Sequence, residues 1–390
     1  MPAAPIKVCL LQDYLPPYRI PLFAKIAAAD GIDFTLLMLA RSHANYRQWT
    51  DLWRDLPFGC TLVPGWRFRI KSESESGFNP ALFAALVRLR PDVVICSGFS
   101  FNTILVLAYK ILFRERVIVW TEATETSESH LSYPRLRTCI RRLLARLVDG
   151  FVDAGTEARA YAKSLLPLGP SVPFFRSYNA IDNDGFVRQC DALRNDAAAL
   201  ATFRSRFPAR NILYSGQLIE RKNIRRLIDV YEEILQASDD PVGLIVLGQG
   251  PLEGYLTARK RERDLQHLHL EGFQAGGDYA RYFVVADLFM LLSVYDCNPL
   301  VIFEALAAGL PTICSKHAGN AVDLIEDGRN GYIVDPDNVV EVAAKTRALL
   351  DAADRDAMAQ AARHMARKSN YDDAAGAFVD AVKAVAERAR

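Results

Sequence analysis

Two carboxylates separated by seven residues, Asp296 and Glu304, are the first residues of this sequence whose types and spacing could do chemistry. An apolar strand is predicted before Asp296. The turn after it favours a helix start, with Asn298 as N-cap and Pro299 in the first helical position. The backbone N–H groups of this start, from Leu300 onward, and the helix dipole favour an anionic or hydroxyl-rich ligand. Because Glu304 lies about one and a half turns into the helix, both carboxylates are expected to face one cleft.

A second group of candidate residues follows another predicted strand and is basic. Gly216 ends that strand, and Lys222 precedes a helix predicted to begin near Asn223. An ammonium group beside a helix N-terminus complements the roughly two to three negative charges of a diphosphate. Gln217 can hydrogen-bond a phosphate but cannot neutralise it, so Arg221 is the candidate that supplies a second positive charge.

These segments and three others resemble the sequence pattern of retaining GT-B glycosyltransferases, especially family 4. The resemblance covers about 210–335. Its motifs are Gly216-x5-Lys222, Gly248-Gln-Gly-Pro251, Leu270-Glu-Gly-Phe273, Asp296-x7-Glu304 followed by Ala-Leu-Ala-Ala-Gly-Leu-Pro, and 318–335. The sequence departs from the family pattern at four positions. Asp296 stands for Glu, Gln217 for Arg, Asn320 for Gly and Asp323 for Glu.

The resemblance implies a role for each matching residue. Asp296 would lie near the donor sugar, Glu304 would bind the ribose diol, and Lys222 would bind the diphosphate. Phe273 would lie at the nucleobase. The implied donor-binding residues are Gly216, Gln217, Arg221, Lys222, Gly248, Phe273, Asp296, Asn298, Pro299, Leu300 and Glu304.

The activity that the resemblance implies is transfer of a hexose from a nucleotide-diphosphate sugar to a hydroxyl group, with retention at the anomeric carbon. UDP-sugars are the most frequent donors in the family. The acceptor would be a glycan or a lipid-linked molecule in bacterial cell-surface polysaccharide or glycolipid synthesis. Neither a cofactor nor a metal is expected, and Asp296 and Lys222 are the implied catalytic residues.

Three other functions compete with that of a hexosyltransferase. A GT-B sugar-nucleotide epimerase would keep the nucleotide site and need no acceptor surface. A non-catalytic nucleotide-sugar-binding protein remains open if Gln217 and Asp296 mark a degenerate site. A nicotinamide-dependent enzyme is disfavoured, because no G-x-G-x-x-G follows the first predicted strand.

The first half of the chain offers four acceptor-side candidates. Tyr18 and Arg19 lie in the loop after the first predicted strand, and Arg19 could replace the charge missing at Gln217. Many relatives carry a histidine where this chain has Glu122, so Glu122 is the candidate catalytic base for the acceptor hydroxyl. His130, in the next loop, is a weaker candidate.

A basic amphipathic helix is predicted over 133–148. Its arginines are Arg135, Arg137, Arg141, Arg142 and Arg146, and the basic, aromatic segment 66–71 belongs to the same half. Such a helix can lie on an anionic membrane. It can equally be an ordinary covering helix with solvated arginines.

The elements that must position these residues alternate regularly along the chain. Short apolar strands followed by amphipathic helices are typical of parallel α/β sheets covered on both faces. The pattern restarts after a turn-rich stretch at 167–185. It predicts two doubly wound Rossmann-like domains, 1–183 for the acceptor and 184–370 for the donor, with a cleft between them. A C-terminal helix at about 371–390 is expected to pack on the first domain.

Composition narrows the partners and the compartment. Lys and Arg total 47 against 46 Asp and Glu, so the chain lacks the basic field typical of nucleic-acid-binding proteins. Its seven cysteines form no C-x-x-C pair and are expected to be reduced thiols. We find no signal peptide or membrane-spanning stretch in the sequence. The expected location is therefore the cytoplasm, with peripheral contact to the inner face of the membrane.

Overall fold

The computed structural model describes residues 4–41, 55–71, 74–167, 172–238 and 240–388. The chain divides into two compact units. The first unit comprises Met1–Ala180 and Asn370–Arg390, and the second comprises Ile181–Ser369. Most of the predicted turn-rich stretch 167–173 lies outside the described residues.

The strands follow the apolar runs of the sequence. They are β1 (Ile6–Gln12), β2 (Ile32–Met38), β3 (Gly59–Leu62), β4 (Trp66–Lys71), β5 (Ser74–Phe78), β6 (Val93–Ser97), β7 (Arg116–Thr121), β8 (Gly150–Asp153), β9 (Phe174–Arg176), β10 (Arg210–Ser215), β11 (Val242–Leu247), β12 (Leu268–Gly272), β13 (Leu288–Leu291), β14 (Thr312–Ser315) and β15 (Gly331–Val334).

The helices fill most of the intervals between strands. They are α1 (Ile20–Ala27), α2 (Ala81–Leu89), α3 (Phe101–Phe113), α4 (Glu125–Ser129), α5 (Pro134–Ala145), α6 (Thr156–Ser164), α7 (Asn183–Asn195), α8 (Ala197–Arg204), α9 (Ile224–Gln236), α10 (Glu253–Glu262), α11 (Gly277–Val285), α12 (Leu300–Ala308), α13 (Ala321–Leu324), α14 (Val339–Leu350), α15 (Arg355–Ala366) and α16 (Tyr371–Glu387). Within the described residues, no helix has the length and apolar character needed to cross a bilayer.

The first unit is built on a parallel sheet with the order β3-β2-β1-β6-β7-β8-β9. Its central strands are almost continuously buried, because helices cover both faces. One face packs against α1 and α16, through Phe23 and Phe378. The other packs against α2, α3, α5 and α6, through Leu86, Leu107 and Tyr161. The strands β4 and β5 form a separate antiparallel hairpin.

The second unit is built on a parallel sheet with the order β12-β11-β10-β13-β14-β15. Its strand order reverses between β10 and β13, as it does between β1 and β6 in the first unit. Ligands of doubly wound sheets bind outside the carboxyl ends of the strands at such a reversal. The loops after β10 and β13 are therefore where a ligand of the second unit is expected.

Candidate functional site

A buried ion pair links the two loops at the strand reversal of the second unit. Lys222 ends a short 3-10 turn, Glu220–Lys222, in the loop after β10, and Asp296 lies in the loop after β13. The Lys222 ammonium donates to Oδ2 of Asp296, and both residues are buried. Arg221 Nη1 lies 3.4 Å from the same oxygen. Lys222 and Asp296 are 74 residues apart in the sequence, and the pairing of β10 with β13 brings their loops together.

The Asp296 carboxylate is held ionised by its neighbours. Burial alone would raise its pKa, but the positive charges of Lys222 and Arg221 outweigh burial and lower the pKa below its usual value. The Lys222 hydrogen bond and the backbone N–H of Asn298 act in the same direction. The cluster therefore contains two cations and one anion, and its net charge is positive.

Backbone hydrogen bonds fix the loop that carries Asp296. The N–H of Val294 donates to the carbonyl of Arg221 at 2.9 Å, which ties the loop to the basic turn. The N–H of Asp296 donates to the carbonyl of His317 at 3.1 Å, and the N–H of Gly319 donates to the carbonyl of Asp296 at 2.8 Å. The carboxylate is thus presented by a loop that is tied to its neighbours on two sides.

The helix after this loop starts one residue later than the sequence predicts. Pro299 has φ −67° and ψ 113°, an extended conformation, so it is the N-cap of α12 and Leu300 is the first helical residue. The prediction of Asn298 as N-cap is therefore wrong. Its side-chain Oδ1 instead accepts a 2.9 Å hydrogen bond from buried Asn320, which also donates to the carbonyl of Pro299 at 3.2 Å. The backbone N–H of Asn298, two residues before the first helical residue of α12, hydrogen-bonds Asp296.

The second acid of the motif, Glu304, has its own set of partners. Tyr279 on α11 donates its hydroxyl to Oε2 of Glu304 at 2.6 Å and lies 3.1 Å from the Ser215 hydroxyl at the end of β10. Burial raises the pKa of Glu304, and the Tyr279 hydrogen bond only partly offsets that rise. Burial and the Glu304 charge also raise the pKa of Tyr279, so this phenol stays a donor.

Glycines let three loops pack backbone to backbone at this edge of the sheet. Gly216 donates to the carbonyl of Leu247 at 3.0 Å, and Gly248 donates to the carbonyl of Gly272 at 2.7 Å. Gly248 has φ +135°, and a Cβ there would lie 1.9 Å from the carbonyl oxygen of Gly216. Phe273, just beyond Gly272, is 58% exposed at the same edge.

Gln217 stands at the end of β10, where the family pattern has Arg. Gln217 is half-buried, and its backbone carbonyl accepts a 2.9 Å hydrogen bond from the Tyr214 hydroxyl. Arg221, which the sequence offers as the second positive charge beside Lys222, lies next to the Asp296 carboxylate. That this arginine replaces the charge missing at Gln217 stays a prediction.

In the first unit, Arg19 and Glu122 meet at the carboxyl ends of β1 and β7. Arg19 Nη2 donates to Oε1 of Glu122 at 2.5 Å, Nη1 donates to Gln12 at 2.7 Å, and the guanidinium lies 4.2 Å from the centre of the Trp120 ring. These residues line a pocket of about 240 Å³. Arg19 is therefore a buried cation whose two Nη atoms are both engaged within its own unit.

The other two acceptor-side candidates have structural partners. The carbonyl of Tyr18 accepts a hydrogen bond from the Tyr371 hydroxyl at 2.9 Å. His130 is exposed, its Nδ1 lies 2.8 Å from the carbonyl of Thr126, and it does not line the pocket that contains Arg19. Its position disfavours it as a base there.

One of the five arginines predicted on the basic helix is not on the surface. Arg141 is buried, forms an ion pair with Glu128 at 2.5 Å and donates to the Tyr161 hydroxyl at 3.0 Å. It therefore cannot contact a membrane, and that part of the prediction is wrong. Arg137 is half-buried and lies 3.7 Å from Glu128. The remaining three, Arg135, Arg142 and Arg146, are exposed.

The described residues contain no cluster of three or more His, Cys, Asp or Glu side chains that could hold a metal ion. All seven cysteines are free thiols, and four of them are buried. At the ion pair of the second unit, the cations that can meet a negatively charged ligand are Lys222 and Arg221.

Sequence reasoning missed Tyr279 and the Asn320–Asn298 contact. Tyr279 lies on a helix that follows an irregular loop, and no spacing links it to Glu304, 25 residues away. Asn320 stands where the family pattern has a glycine, and that departure is the available signal for its contact with Asn298.

Comparison with known proteins places this site in a family context. Residues 205–365 match the family model described as Glycosyl transferases group 1, and the matched region contains all the donor-site candidates. The chain is 29% identical to Spore coat protein SA of Bacillus subtilis over 155 residues, which are 37% of this chain and 40% of that protein. It is 28% identical over 232 residues to the GDP-mannose-dependent alpha-(1-6)-phosphatidylinositol monomannoside mannosyltransferase of Mycobacterium tuberculosis, covering 55% of this chain and 57% of that one. The matches thus span about two to three fifths of these relatives.

The fold matches over nearly the whole chain. The crystal structure of Anabaena HepE in complex with UDP and glucose superposes with a TM-score of 0.71, covering 97% of this chain and 100% of that one at 17% identity. This likeness shows the fold. The chain contains two Rossmann-like units, as GT-B structures do, and the predicted fold class is confirmed.

Proposed function

We propose that this chain is a retaining hexosyltransferase whose second unit binds a nucleotide-diphosphate sugar and whose first unit binds the acceptor. The match of residues 205–365 to glycosyl transferases group 1 supports the class of reaction. UDP in HepE supports a UDP-sugar as the first donor to test, and GDP-mannose in the name of the mycobacterial relative makes a GDP-sugar the second. The proposed acceptor is a hydroxyl of a glycan or a lipid-linked molecule in bacterial polysaccharide or glycolipid synthesis.

The observation that carries this proposal is the cluster of Lys222, Arg221 and Asp296 at the strand reversal of the second unit. A diphosphate carries more negative charge than Asp296 alone, so it competes well for the two cations. The first-turn amides of α12 add donors at a helix N-terminus. We infer that the diphosphate binds where these groups converge, and that Asp296, once its cations are shared, lies near the sugar.

The proposed reaction needs no metal ion. The bond between the anomeric carbon and the diphosphate oxygen breaks, and a bond to the acceptor oxygen forms on the same face of the sugar. The acceptor proton passes to the leaving phosphate, and a nucleoside diphosphate is released. Lys222 and Arg221 stabilise the charge that develops on the leaving group, which is electrostatic catalysis by preorganised donors.

Glu304 and Phe273 are the proposed nucleoside contacts. The Glu304 carboxylate can accept two hydrogen bonds from a ribose diol, and Tyr279 holds it by donating to one oxygen. Phe273 offers an exposed ring for the base. In the first unit, Glu122 is the proposed acceptor-side carboxylate, with Arg19 fixing its orientation. We propose that the reaction takes place at the cytoplasmic face of the membrane.

The test is release of nucleoside diphosphate from UDP-, GDP- and ADP-sugars with and without an acceptor panel. A transferase releases the nucleotide together with a glycosylated product, and Glu304→Ala lowers the release at least about tenfold, since a charge-assisted contact is lost. Glu326→Ala is the control and leaves release unchanged, because this half-buried acid is paired with Arg329 and has no proposed donor contact. Normal turnover by Glu304→Ala would show that the donor site is wrongly assigned.

A further inference from the structure

An exposed apolar surface covers two helices of the first unit. On α3 it includes Phe101 (49% exposed), Ile104 (46%), Ile111 (62%) and Leu112 (67%), and on α5 it includes Leu136 (60%), Ile140 (45%) and Leu143 (62%). The α5 residues are spaced four and three positions apart, and the α3 residues are spaced three, seven and one apart, so each set falls in a stripe on one side of its helix, away from the sheet. Large apolar side chains of this kind, grouped rather than scattered, indicate an interaction surface. We call these two stripes the α3–α5 face.

A pocket joins the two stripes. Its volume is about 380 Å³, and its lining includes Phe101 and Ile104 from α3 and Ile140 and Leu144 from α5. The rest of its lining includes Phe99 and the polar or charged residues Asp13, Ser97, Ser100, Arg137 and Arg141. The two stripes are therefore joined by a recess of mixed polarity.

Aromatic residues of the hairpin extend this face. The Phe68 ring lies 5.6 Å from the Phe101 ring, centre to centre, and is 41% exposed. Trp66 on the same strand is 68% exposed. Amphipathic aromatic side chains are preferred at the boundary between lipid and water.

The two helices of the face carry charge of one sign. Neither α3 nor α5 contains an Asp or Glu residue. Arg135, Arg142 and Arg146 are exposed at the edge of the α5 stripe, whereas Arg141 is used inside the unit. Exposed arginines beside an apolar stripe complement a negatively charged surface that has an apolar interior.

We propose that the α3–α5 face docks the first unit on an anionic lipid bilayer, with its exposed apolar side chains entering the lipid and its exposed arginines meeting the head groups. Charge complementarity favours an anionic bilayer over a protein surface. The pocket between α3 and α5 shares Asp13, Gly98, Phe99 and Arg141 with the pocket that contains Arg19 and Glu122. Docking therefore brings lipid head groups near the second pocket, an implication that rests on the proposed acceptor role of the first unit.

The experiment is co-sedimentation of the full chain with vesicles of equal parts phosphatidylcholine and phosphatidylglycerol, and with vesicles of phosphatidylcholine alone. No nucleotide sugar is present, so the result does not depend on the proposed transferase activity. We expect binding to the anionic vesicles that weakens as salt is added, because salt screens the arginines. The expected binding to neutral vesicles is at least about tenfold weaker, since three exposed arginines contribute.

Two double variants separate the apolar and the charged contributions. Ile104→Ser/Leu143→Ser is expected to weaken binding to anionic vesicles at least about tenfold by removing inserted side chains. Arg142→Glu/Arg146→Glu is expected to weaken it by a similar factor at low salt. The matched controls, Val340→Ser (66% exposed in the native chain) and Arg261→Glu, lie in the second unit and leave binding unchanged. Far-UV circular dichroism checks that each variant is folded.

Two results would overturn the docking proposal. One is absence of binding to both kinds of vesicle, which would leave the face to a protein partner or a second copy of the chain. The other is anionic-vesicle binding that neither double variant weakens. Neither result bears on nucleotide release, so failure of docking and failure of the proposed function are distinguishable.

Discussion

Lys222 and Asp296 pair with each other in the second unit, so a ligand that binds either residue must take the place of its partner. Two buried opposite charges are costly to separate unless another charge replaces the one removed. In the proposed donor complex, a diphosphate is that replacement for Lys222. The nearby Arg221, 3.4 Å from Asp296, keeps a positive charge beside the carboxylate during the exchange. The site is thus poised to bind an anion.

Tyr279 is predicted to be a positioning residue for Glu304. Tyr279→Phe removes the hydroxyl that donates to the carboxylate at 2.6 Å. We expect the donor KM to rise about fivefold, which corresponds to roughly 1 kcal/mol for one hydrogen bond, with little change in kcat. Because that hydrogen bond lowers the pKa of Glu304, its loss also moves the acidic limb of the donor KM profile to higher pH.

Tyr282→Phe is the matched control for this prediction. Tyr282 lies on the same helix and donates to Glu271 at 2.8 Å, but Glu271 has no proposed donor contact. Steady-state kinetics across pH should leave Tyr282→Phe like the native chain. If Tyr279→Phe changed neither KM nor the pH profile, the positioning role would be wrong.

The two acids are predicted to give stability a pH dependence of opposite sign. Burial raises the pKa of Glu304, so the folded state binds its proton more tightly than the unfolded state and stability falls as pH rises through the raised pKa. Burial would raise the pKa of Asp296, but Lys222 and Arg221 outweigh burial and lower it. The ionised Asp296 therefore stabilises the folded state at pH values above its pKa in the unfolded chain. This stabilisation is lost as the pH falls through the lowered pKa of the folded state.

Thermal unfolding of the second unit between pH 3 and pH 7, chosen to span the ordinary carboxyl range of about 4, checks these signs. Relative to Glu304→Gln, the native chain should lose Tm as pH rises. Relative to Asp296→Asn, it should lose Tm as pH falls. Parallel Tm profiles for the native chain and both variants would contradict the assigned environments.

The placement of the candidate donor-site residues at strand ends could be predicted because their spacing is local. Asp296, Glu304 and Lys222 each stand in a short segment where a strand gives way to a turn and a helix. Tyr279 could not be predicted, since its contact with Glu304 depends on how α11 packs beside α12. The start of α12 was misplaced because Asn-Pro favours both an N-cap and an extended turn, and Asn320 decides between them by binding Asn298.

At the scale of elements, Gly248 is predicted to be essential to the edge of the second sheet. In Gly248→Ala the new Cβ would lie 1.9 Å from the carbonyl oxygen of Gly216, and φ is +135°. The loops after β10 and β11 must therefore separate. We expect a loss of at least about 2 kcal/mol in stability from this strain and from broken loop hydrogen bonds, together with weaker donor binding.

Gly254→Ala is the control, because nothing lies within 4 Å of its Cβ and the residue is helical. It should leave stability unchanged or raise it by up to about 1 kcal/mol. Urea unfolding and donor titration of both variants make the comparison. A stable Gly248→Ala with native donor affinity would contradict the packing of these loops.

Most long strands could be predicted, whereas several short ones could not. β1, β7 and β11 are buried on both faces and read as continuous apolar runs. β3 and β9 lie at the edges of the first sheet, span four and three residues and are half-exposed, so their apolar signal is weak. Their pairing comes from the neighbouring strand rather than from their own sequence.

At the scale of the whole chain, α16 belongs to the first unit although it follows the second in sequence. Phe378 is fully buried and its ring meets Trp120 edge-on at 5.0 Å. Phe378→Ala should destabilise the first unit by about 3–5 kcal/mol, the usual cost of such a cavity. Donor affinity should not change, because the residue lies outside the second unit.

Differential scanning calorimetry with and without a nucleoside diphosphate separates these effects. For Phe378→Ala we expect two unfolding transitions. The transition of the first unit has a lowered Tm that nucleotide does not shift. The transition of the second unit has a native-like Tm that nucleotide raises. Loss of nucleotide binding in Phe378→Ala would contradict the assignment of the helix. The packing of α16 on the first unit could be predicted from the helical tail of the sequence. The burial of Arg141 could not be predicted, since its partner Glu128 lies on a separate short helix.

The central claim is that Lys222 and its neighbours bind the diphosphate of a nucleotide sugar. The direct measurement is calorimetric titration of UDP and GDP into the native chain, Lys222→Met and Lys345→Met. Lys345 is the control, because it pairs with Glu341 on α14 at 2.9 Å and has no proposed ligand. The double variant Lys222→Met/Asp296→Asn is titrated as well. In Lys222→Met alone the buried Asp296 carboxylate loses its lysine partner, and the double variant removes that unpaired charge.

We predict that one of the two nucleotides binds the native chain and Lys345→Met equally well. Lys222→Met and the double variant should bind it at least about tenfold more weakly, the loss expected for a charge-assisted contact. Equal affinity in all four proteins, or no binding of either nucleotide to the native chain, would contradict the claim.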